Sequence, residues 1–138
     1  MSNNWVQDIN DMHTKYGVHE WIKNNPEQLA AFLKFRMNFI IEELTETQLA
    51  VNGNDPEEIV DGLIDLCVVA LGTLDAFGVD AAQARDAVLE ANMAKEVGIK
   101  EGRPNALGLP DLMKPAGWKA PNHYGNHGVL NKLVGSPG

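Results

Sequence analysis

Apolar residues recur at helical spacing through the first two thirds of the chain, and the pattern predicts four helices. Between residues 3 and 16, Ile9, Met12, His13 and Tyr16 share one helical face before Gly17 stops the run. Asn25-Pro26 reads as a cap followed by a first-turn proline. It opens a helix carrying Leu29, Phe32, Leu33, Phe39, Ile40 and Leu44 that fades at Asn52-Gly53. Asp55-Pro56-Glu57-Glu58 starts a third helix, which runs to Phe77 and is closed by Gly78. The fourth starts at Asp80, with Gln83 three residues on, and runs through Ala84, Ala87, Val88, Ala91 and Lys95 to Gly98.

Beyond Gly98 the pattern lapses, for 8 of the 13 glycines and 5 of the 7 prolines lie between residues 98 and 138. No alternating strand pattern, internal repeat or low-complexity tract is visible. The expectation is an all-α fold in one domain, residues 1–138, with a four- to five-helix bundle over 1–98 and an irregular tail over 99–138. Leu107, Leu109, Leu112, Met113, Trp118, Tyr124, Val129 and Leu130 are spread through that tail, so it is expected to pack on the bundle. In the third helix, nearly every position from Ile59 to Leu74 is apolar apart from Asp61, Gly62, Asp65, Gly72 and Thr73. Such a helix is expected to be buried all round. Three neighbours cannot cover it, so its remaining apolar surface is expected to meet another subunit in a homodimer or homotetramer.

Composition narrows the function classes. With 44% hydrophobic and 22% charged residues, the 138-residue chain is globular rather than disordered. Its longest apolar stretch is interrupted by Asp65, and residues 1–10 have neither a basic region nor an apolar core, so no membrane span or signal peptide is read and a cytoplasmic location is expected. The single cysteine, Cys67, stands among Leu66, Val68 and Val69 and is expected to pack in the core. A net charge of −8 argues against nucleic acid or anionic lipid as partner. An acidic protein handles a polyphosphate only when divalent cations stand between the two sets of negative charge.

Candidate chemistry lies in two acidic sets. Glu42, Glu43 and Glu46 share one face of the second helix, and Glu58, Asp61 and Asp65 share one face of the third. Asp61 and Asp65 interrupt an apolar run, where an unpaired carboxylate is heavily penalised, so something cationic is expected to compensate them. If the two helices pack antiparallel the acidic faces meet, and an all-oxygen pocket suits Mg²⁺ or Mn²⁺ rather than zinc. Glu58 also sits where a capping-box glutamate would, and Glu42 or Glu46 would equally serve as solvated helix surface. A ferritin-like di-iron site is excluded, since no histidine stands three residues after any of these acids. On the fourth helix Asn92 and Lys95 are spaced to face the same way and to bind phosphate oxygens, although Lys95 also suits the last turn simply as a cation.

The ordered set Glu42-Glu43-x-x-Glu46, Glu58-x-x-Asp61 and Asn92-x-x-Lys95 resembles the signature of the all-alpha NTP pyrophosphohydrolase superfamily, the MazG-like and phosphoribosyl-ATP pyrophosphohydrolase-like proteins. The resemblance covers roughly residues 28 to 97, and the tail around Gly117-Trp118-Lys119-Ala120-Pro121-Asn122 is similar to short stand-alone members, many of them from phages. It implies a MazG-like bundle completed by homo-oligomerisation and a Mg-dependent cleavage of a (d)NTP between its α and β phosphates. By position, Glu43, Glu46, Glu58 and Asp61 would hold the metal, Glu42 would orient or deprotonate the attacking water, and Asn92 and Lys95 would hold phosphates. Asp65 fits either as an outer ligand or as a partner for Lys95. Phosphoribosyl-ATP as substrate, and a helical metal-binding or regulatory subunit without catalysis, are the alternatives.

The base is read from fewer signals. Asn38, one helical turn before Glu42, would present an amide to a base edge, and Trp21, Trp5 or Tyr16 would stack on it. An amide donates and accepts, which suits guanine, so a (d)GTP-type substrate is expected. Lys119 lies with Lys114, Asn122 and His123 among the apolar anchors of the tail, which is expected to fold over an active site and add cations at the phosphate end.

Overall fold

The computed structural model describes residues 4–99, 102 and 106–134. Asn3, at the start of the first expected helix, and residues 100–101, 103–105 and 135–138 of the expected tail lie outside the described residues.

The helix starts follow local chemistry. Asn4 accepts a hydrogen bond from the Gln7 amide at 3.1 Å and caps helix α1, Trp5–Lys15. A second helix, α2 (Val18–Asn24), follows after Gly17. It was not expected, because seven residues are too few to show a repeat. Pro26–Gln28 forms a 3₁₀ turn rather than the first turn of the next helix, and α3 then runs from Leu29 to Asn52. Asp55 accepts from the Glu58 amide at 3.2 Å, Pro56 occupies the first turn, and α4 spans Pro56–Ala76 as expected. The short turn between α3 and α4 sets them antiparallel.

The chain forms two compact units. One is Met1–Ala81 with His127–Gly138, and the other is Ala82–Asn126.

In the first unit the core is centred on Ile22, Leu29 and Phe77, with Phe32, Leu33, Val129, Leu130 and Leu133 packed against it. Phe32 lies between Trp21 and Phe77, with ring centroids 5.5 and 5.7 Å away. The Val129 amide donates to the Phe77 carbonyl at 2.8 Å, which fastens the 3₁₀ turn Gly128–Leu130 to the end of α4. Helix α6, Asn131–Val134, continues from that turn.

The second unit holds α5 (Ala81–Met93) from its second residue on, and a two-stranded antiparallel ribbon of β1 (Glu96–Gly98) and β2 (Asp111–Met113). The expected continuation of the fourth helix to Gly98 is therefore corrected. The chain leaves the helix after Met93, and Val97 pairs with Leu112. Strands of three residues leave no alternation to read. Trp118 anchors the rest of this unit, donating from Nε1 to the Ala91 carbonyl at 2.7 Å.

Two further expectations about α4 are corrected. It is not buried all round, since Val60 is 64% and Leu63 52% exposed. Cys67, expected in the core, is exposed as well.

Candidate active site

Two interior glycines of α4 set the site. A side chain at Gly62 would collide with Thr47 of α3, so the two helices touch there almost backbone to side chain. Thr47 is buried and returns its hydroxyl to the Glu43 carbonyl at 2.8 Å. Asp61 and Asp65 flank Gly62 on α4, while Glu43 and Glu46 lie within one turn of Thr47 on α3. Close approach at Gly62 thus brings the acidic faces of the two helices together.

The electrostatics of Glu43 agree with this placement. The Glu43 carboxyl is pushed above its ordinary value, first by partial burial and then by Glu46, Asp65, Glu42 and Asp61. Among the described residues no lysine, arginine or histidine lies within ion-pair distance of these five acids. The acids of α3 and α4 face one another but are not among the described residues whose ligand atoms gather within 4.8 Å; as an all-oxygen donor set they are of the type that suits a Mg²⁺- or Mn²⁺-type ion. Glu58 is exposed in the first turn of α4, caps nothing with its own side chain, and is not among the acids acting on Glu43. The expected burial penalty on Asp61 and Asp65 is corrected too, for Asp61 is exposed and Asp65 half-buried.

Glu43 and Asp65 form one end of a cleft of about 340 Å³ whose walls are Met12, Phe39, Val68 and Val69. Its other polar groups are His13 and Arg36. Arg36 stands seven residues before Glu43, and Gly72 seven after Asp65, so this basic end lies two helical turns, ~10 Å, along α3 and α4 from the acids. The second glycine, Gly72, makes the basic end possible. A Cβ there would stand 2.7 Å from Arg36 Nη2 and 3.2 Å from His13 Nε2. Arg36 is fixed by donating from Nε to Thr73 Oγ1 at 3.1 Å and from Nη2 to the Val69 carbonyl at 3.0 Å. Burial lowers its pKa.

Behind His13 lies a buried hub. Asp75 Oδ2 accepts from His13 Nδ1 at 2.8 Å and from His19 Nε2 at 2.7 Å, and Asp75 Oδ1 accepts from Asn10 Nδ2 at 2.9 Å. The ligand-type atoms of His13, His19 and Asp75 lie within 4.8 Å of one another. Two imidazoles and a carboxylate are also a donor set for a borderline transition metal. Here three hydrogen bonds satisfy the carboxylate, and the hub ties α1, α2 and α4 together. Burial holds the His13 ring below its ordinary pKa, against the opposing pull of Asp75.

The remaining expected residues lie elsewhere. Asn38 is exposed on α3. Asn92, Lys95 and Lys119 belong to the second unit. Lys95 sits beyond the end of α5 rather than in its last turn, over the Trp118 ring at 5.2 Å, with Lys114 also near that ring at 5.1 Å. Lys119 is exposed beside a separate recess of about 510 Å³ formed by α5 and residues 115–122. Sequence reading missed Arg36, His13, His19, Thr47 and Asp75. The signal available for three of them, Thr47, Arg36 and His13, was the pair of glycines inside a helix, where glycine is costly unless something approaches closely.

No curated protein and no solved structure matches the chain. The family model for phosphoribosyl-ATP pyrophosphohydrolase matches residues 18–92, from the start of α2 to Asn92, which takes in both acidic helices and leaves Lys95 and Lys119 beyond its end. With more than half of its length matched, the chain belongs to the phosphoribosyl-ATP pyrophosphohydrolase family, part of the MazG-like nucleotide pyrophosphohydrolase superfamily.

Proposed function

We propose that the protein cleaves a (d)NTP between the α and β phosphates, giving (d)NMP and pyrophosphate, with Mg²⁺ or Mn²⁺ held by Glu43, Glu46 and Asp61 and a guanine-type base preferred. The observation that carries this is the convergence of carboxylates from α3 and α4 on Glu43, with no lysine, arginine or histidine of the described residues within ion-pair distance of them. When bound, the metal neutralises phosphate charge and activates a water for in-line attack. Glu42, exposed on the same helix as Glu43 and Glu46, orients that water and takes its proton. Asp65, at the lip of the cleft, serves as an outer ligand. Glu58 completes the set only if its first turn leans toward the other acids. Asn92, Lys95 and Lys119 carry the amide and ammonium groups suited to binding phosphate oxygens.

The apolar residues left exposed on α3 and α4, among them Phe35, Ile41, Leu44, Val60 and Leu63, support a homodimer or homotetramer built on this helix pair. No single helix among the described residues is long and apolar enough to cross a membrane.

The family's own name favours a second substrate, phosphoribosyl-ATP, which undergoes the same cleavage. A panel of the four dNTPs, the four NTPs and phosphoribosyl-ATP, assayed with Mg²⁺ for pyrophosphate release, separates the two. Turnover of dGTP above the others is expected, and full turnover in excess EDTA would refute the metal-dependent reading.

A further inference from the structure

We propose that the cleft between α1, α3 and α4 is the nucleobase pocket, and that the fixed Arg36 fork beside His13 selects a 6-oxopurine. This rests on the pyrophosphohydrolase reading above, which puts the reacting phosphates at the carboxylate end.

The cleft's position and lining both point to a base. It begins at Glu43 and Asp65 and extends two helical turns to Arg36 and His13, a distance comparable to the span of a nucleoside. Its walls between those ends are the side chains of Met12, Phe39, Val68 and Val69. Apolar walls with a few convergent polar groups suit a flat heteroaromatic ring, whereas a polyphosphate would be desolvated against them at a cost. A volume near 340 Å³ lies within the usual range for small-molecule pockets.

The polar end is specific about what it accepts. Thr73 and the Val69 carbonyl occupy two of the five N–H bonds of Arg36 and hold its plane, so the rest form a donor fork already in place. Guanine and hypoxanthine present O6 and N7 as adjacent acceptors, the pair an arginine fork matches in two hydrogen bonds. Adenine puts an amino group beside N7, and donors would face donors. His13 adds the complement. Since Asp75 accepts at Nδ1, that nitrogen carries the proton, and Nε2 is left as an acceptor near the same point over Gly72 that Arg36 Nη2 approaches. An acceptor beside the fork suits the N1–H that 6-oxopurines carry and adenine lacks. Burial favours the neutral ring that this requires.

The test compares kcat/KM for dGTP and dITP with that for dATP and dCTP, in the wild-type protein and in Arg36→Lys, which keeps the charge and loses the fork. The wild type is expected to favour dGTP and dITP over dATP by about tenfold or more, and Arg36→Lys to reduce that ratio at least tenfold. Because Arg36 also clamps α3 to α4, the second measurement needs no variant. Calorimetric titration of the wild type with dGMP and dAMP in EDTA should show dGMP binding the tighter. Equal binding of the two, a wild-type preference for dATP or dCTP, or an unchanged ratio in a folded Arg36→Lys protein would each overturn the proposal. Failure of the hydrolase reading is separately visible, as absence of pyrophosphate from every triphosphate while selective dGMP binding persists.

Discussion

Helix α4 carries aspartates in two opposite settings, and the contrast separates function from architecture. Asp75 is buried, and every oxygen it exposes to the interior is taken by His13, His19 or Asn10. Asp61 and Asp65, about four and three turns nearer the N-terminus, are more open and face other acids instead of partners. A buried carboxylate with hydrogen-bonding partners contributes to specificity and cohesion of the fold. A set of carboxylates brought to face one another by a glycine contact works against the fold, as the proposed metal site would require. One helix therefore supplies both a fastening and a site.

The largest effect expected from this contrast is on turnover. Asp61→Asn or Glu46→Gln should lower pyrophosphate release on the order of a thousandfold or more, ~4 kcal/mol of transition-state stabilisation, because each removes a charge needed to hold the metal. Thermal unfolding without metal should be unchanged or slightly improved, since a repulsive charge is lost. A variant that melts early would move these acids to the architectural side of the comparison.

Asp75 should show the reverse. Asp75→Ala leaves the buried His13 and the half-buried His19 and Asn10 without their acceptor, and should cost about 3 kcal/mol of stability. The urea midpoint should fall with little change in slope. Normal stability in this variant would mean that the three partners find water or one another, and that the hub is no fastening.

How far the sequence discloses these two regions follows from the range of the signals. Glu42, Glu43, Glu46, Asp61 and Asp65 are legible because they lie at fixed helical offsets, and the caps at Asn4 and Asp55 because they act within a single turn. The all-α fold follows from the same local periodicity. His13, His19 and Asp75 are separated by 62 and 56 residues along the chain, and Arg36 reaches across 37 residues to Thr73. Nothing local marks such pairs. Exposure of Cys67 and Val60 was hidden for a related reason, since an apolar run shows that a face avoids water and leaves open what covers it. The three-residue strands and the early end of α5 were lost because pairing across the ribbon outweighs a weak helical continuation.

A smaller effect links the two regions. Gly62→Ala places a methyl group against Thr47 and should cost about 2 kcal/mol, the usual scale for an overpacked contact. It should also weaken Mg²⁺ binding, because the acids on α3 and α4 are forced apart. Thr47→Ala in the same chain removes the colliding hydroxyl and methyl and should restore part of both. Additive losses in the double variant would show that Gly62 and Thr47 act independently.

The smallest effect expected is on the pH dependence of stability, and it reports on the hub alone. His13 faces Asp75, Arg36 and His19, and burial leaves its pKa below the ordinary 6.5. In the unfolded chain the ring takes up a proton as the pH falls through about 6.5, while in the folded protein it stays neutral to a lower pH. Unfolding therefore binds a proton in that window, and stability falls as the pH drops from 6.5 toward the folded value. Only one ring contributes, so the loss between pH 7 and pH 6 is small. His13→Asn keeps a donor for Asp75 and removes the titration, so its stability should change less over the same interval. Urea unfolding of both proteins at pH 7 and pH 6 provides the measurement. A steeper loss in His13→Asn than in the wild type would mean that the imidazole is charged in the fold, held by Asp75 as an ion pair, and the acceptor assigned to Nε2 would then be a donor.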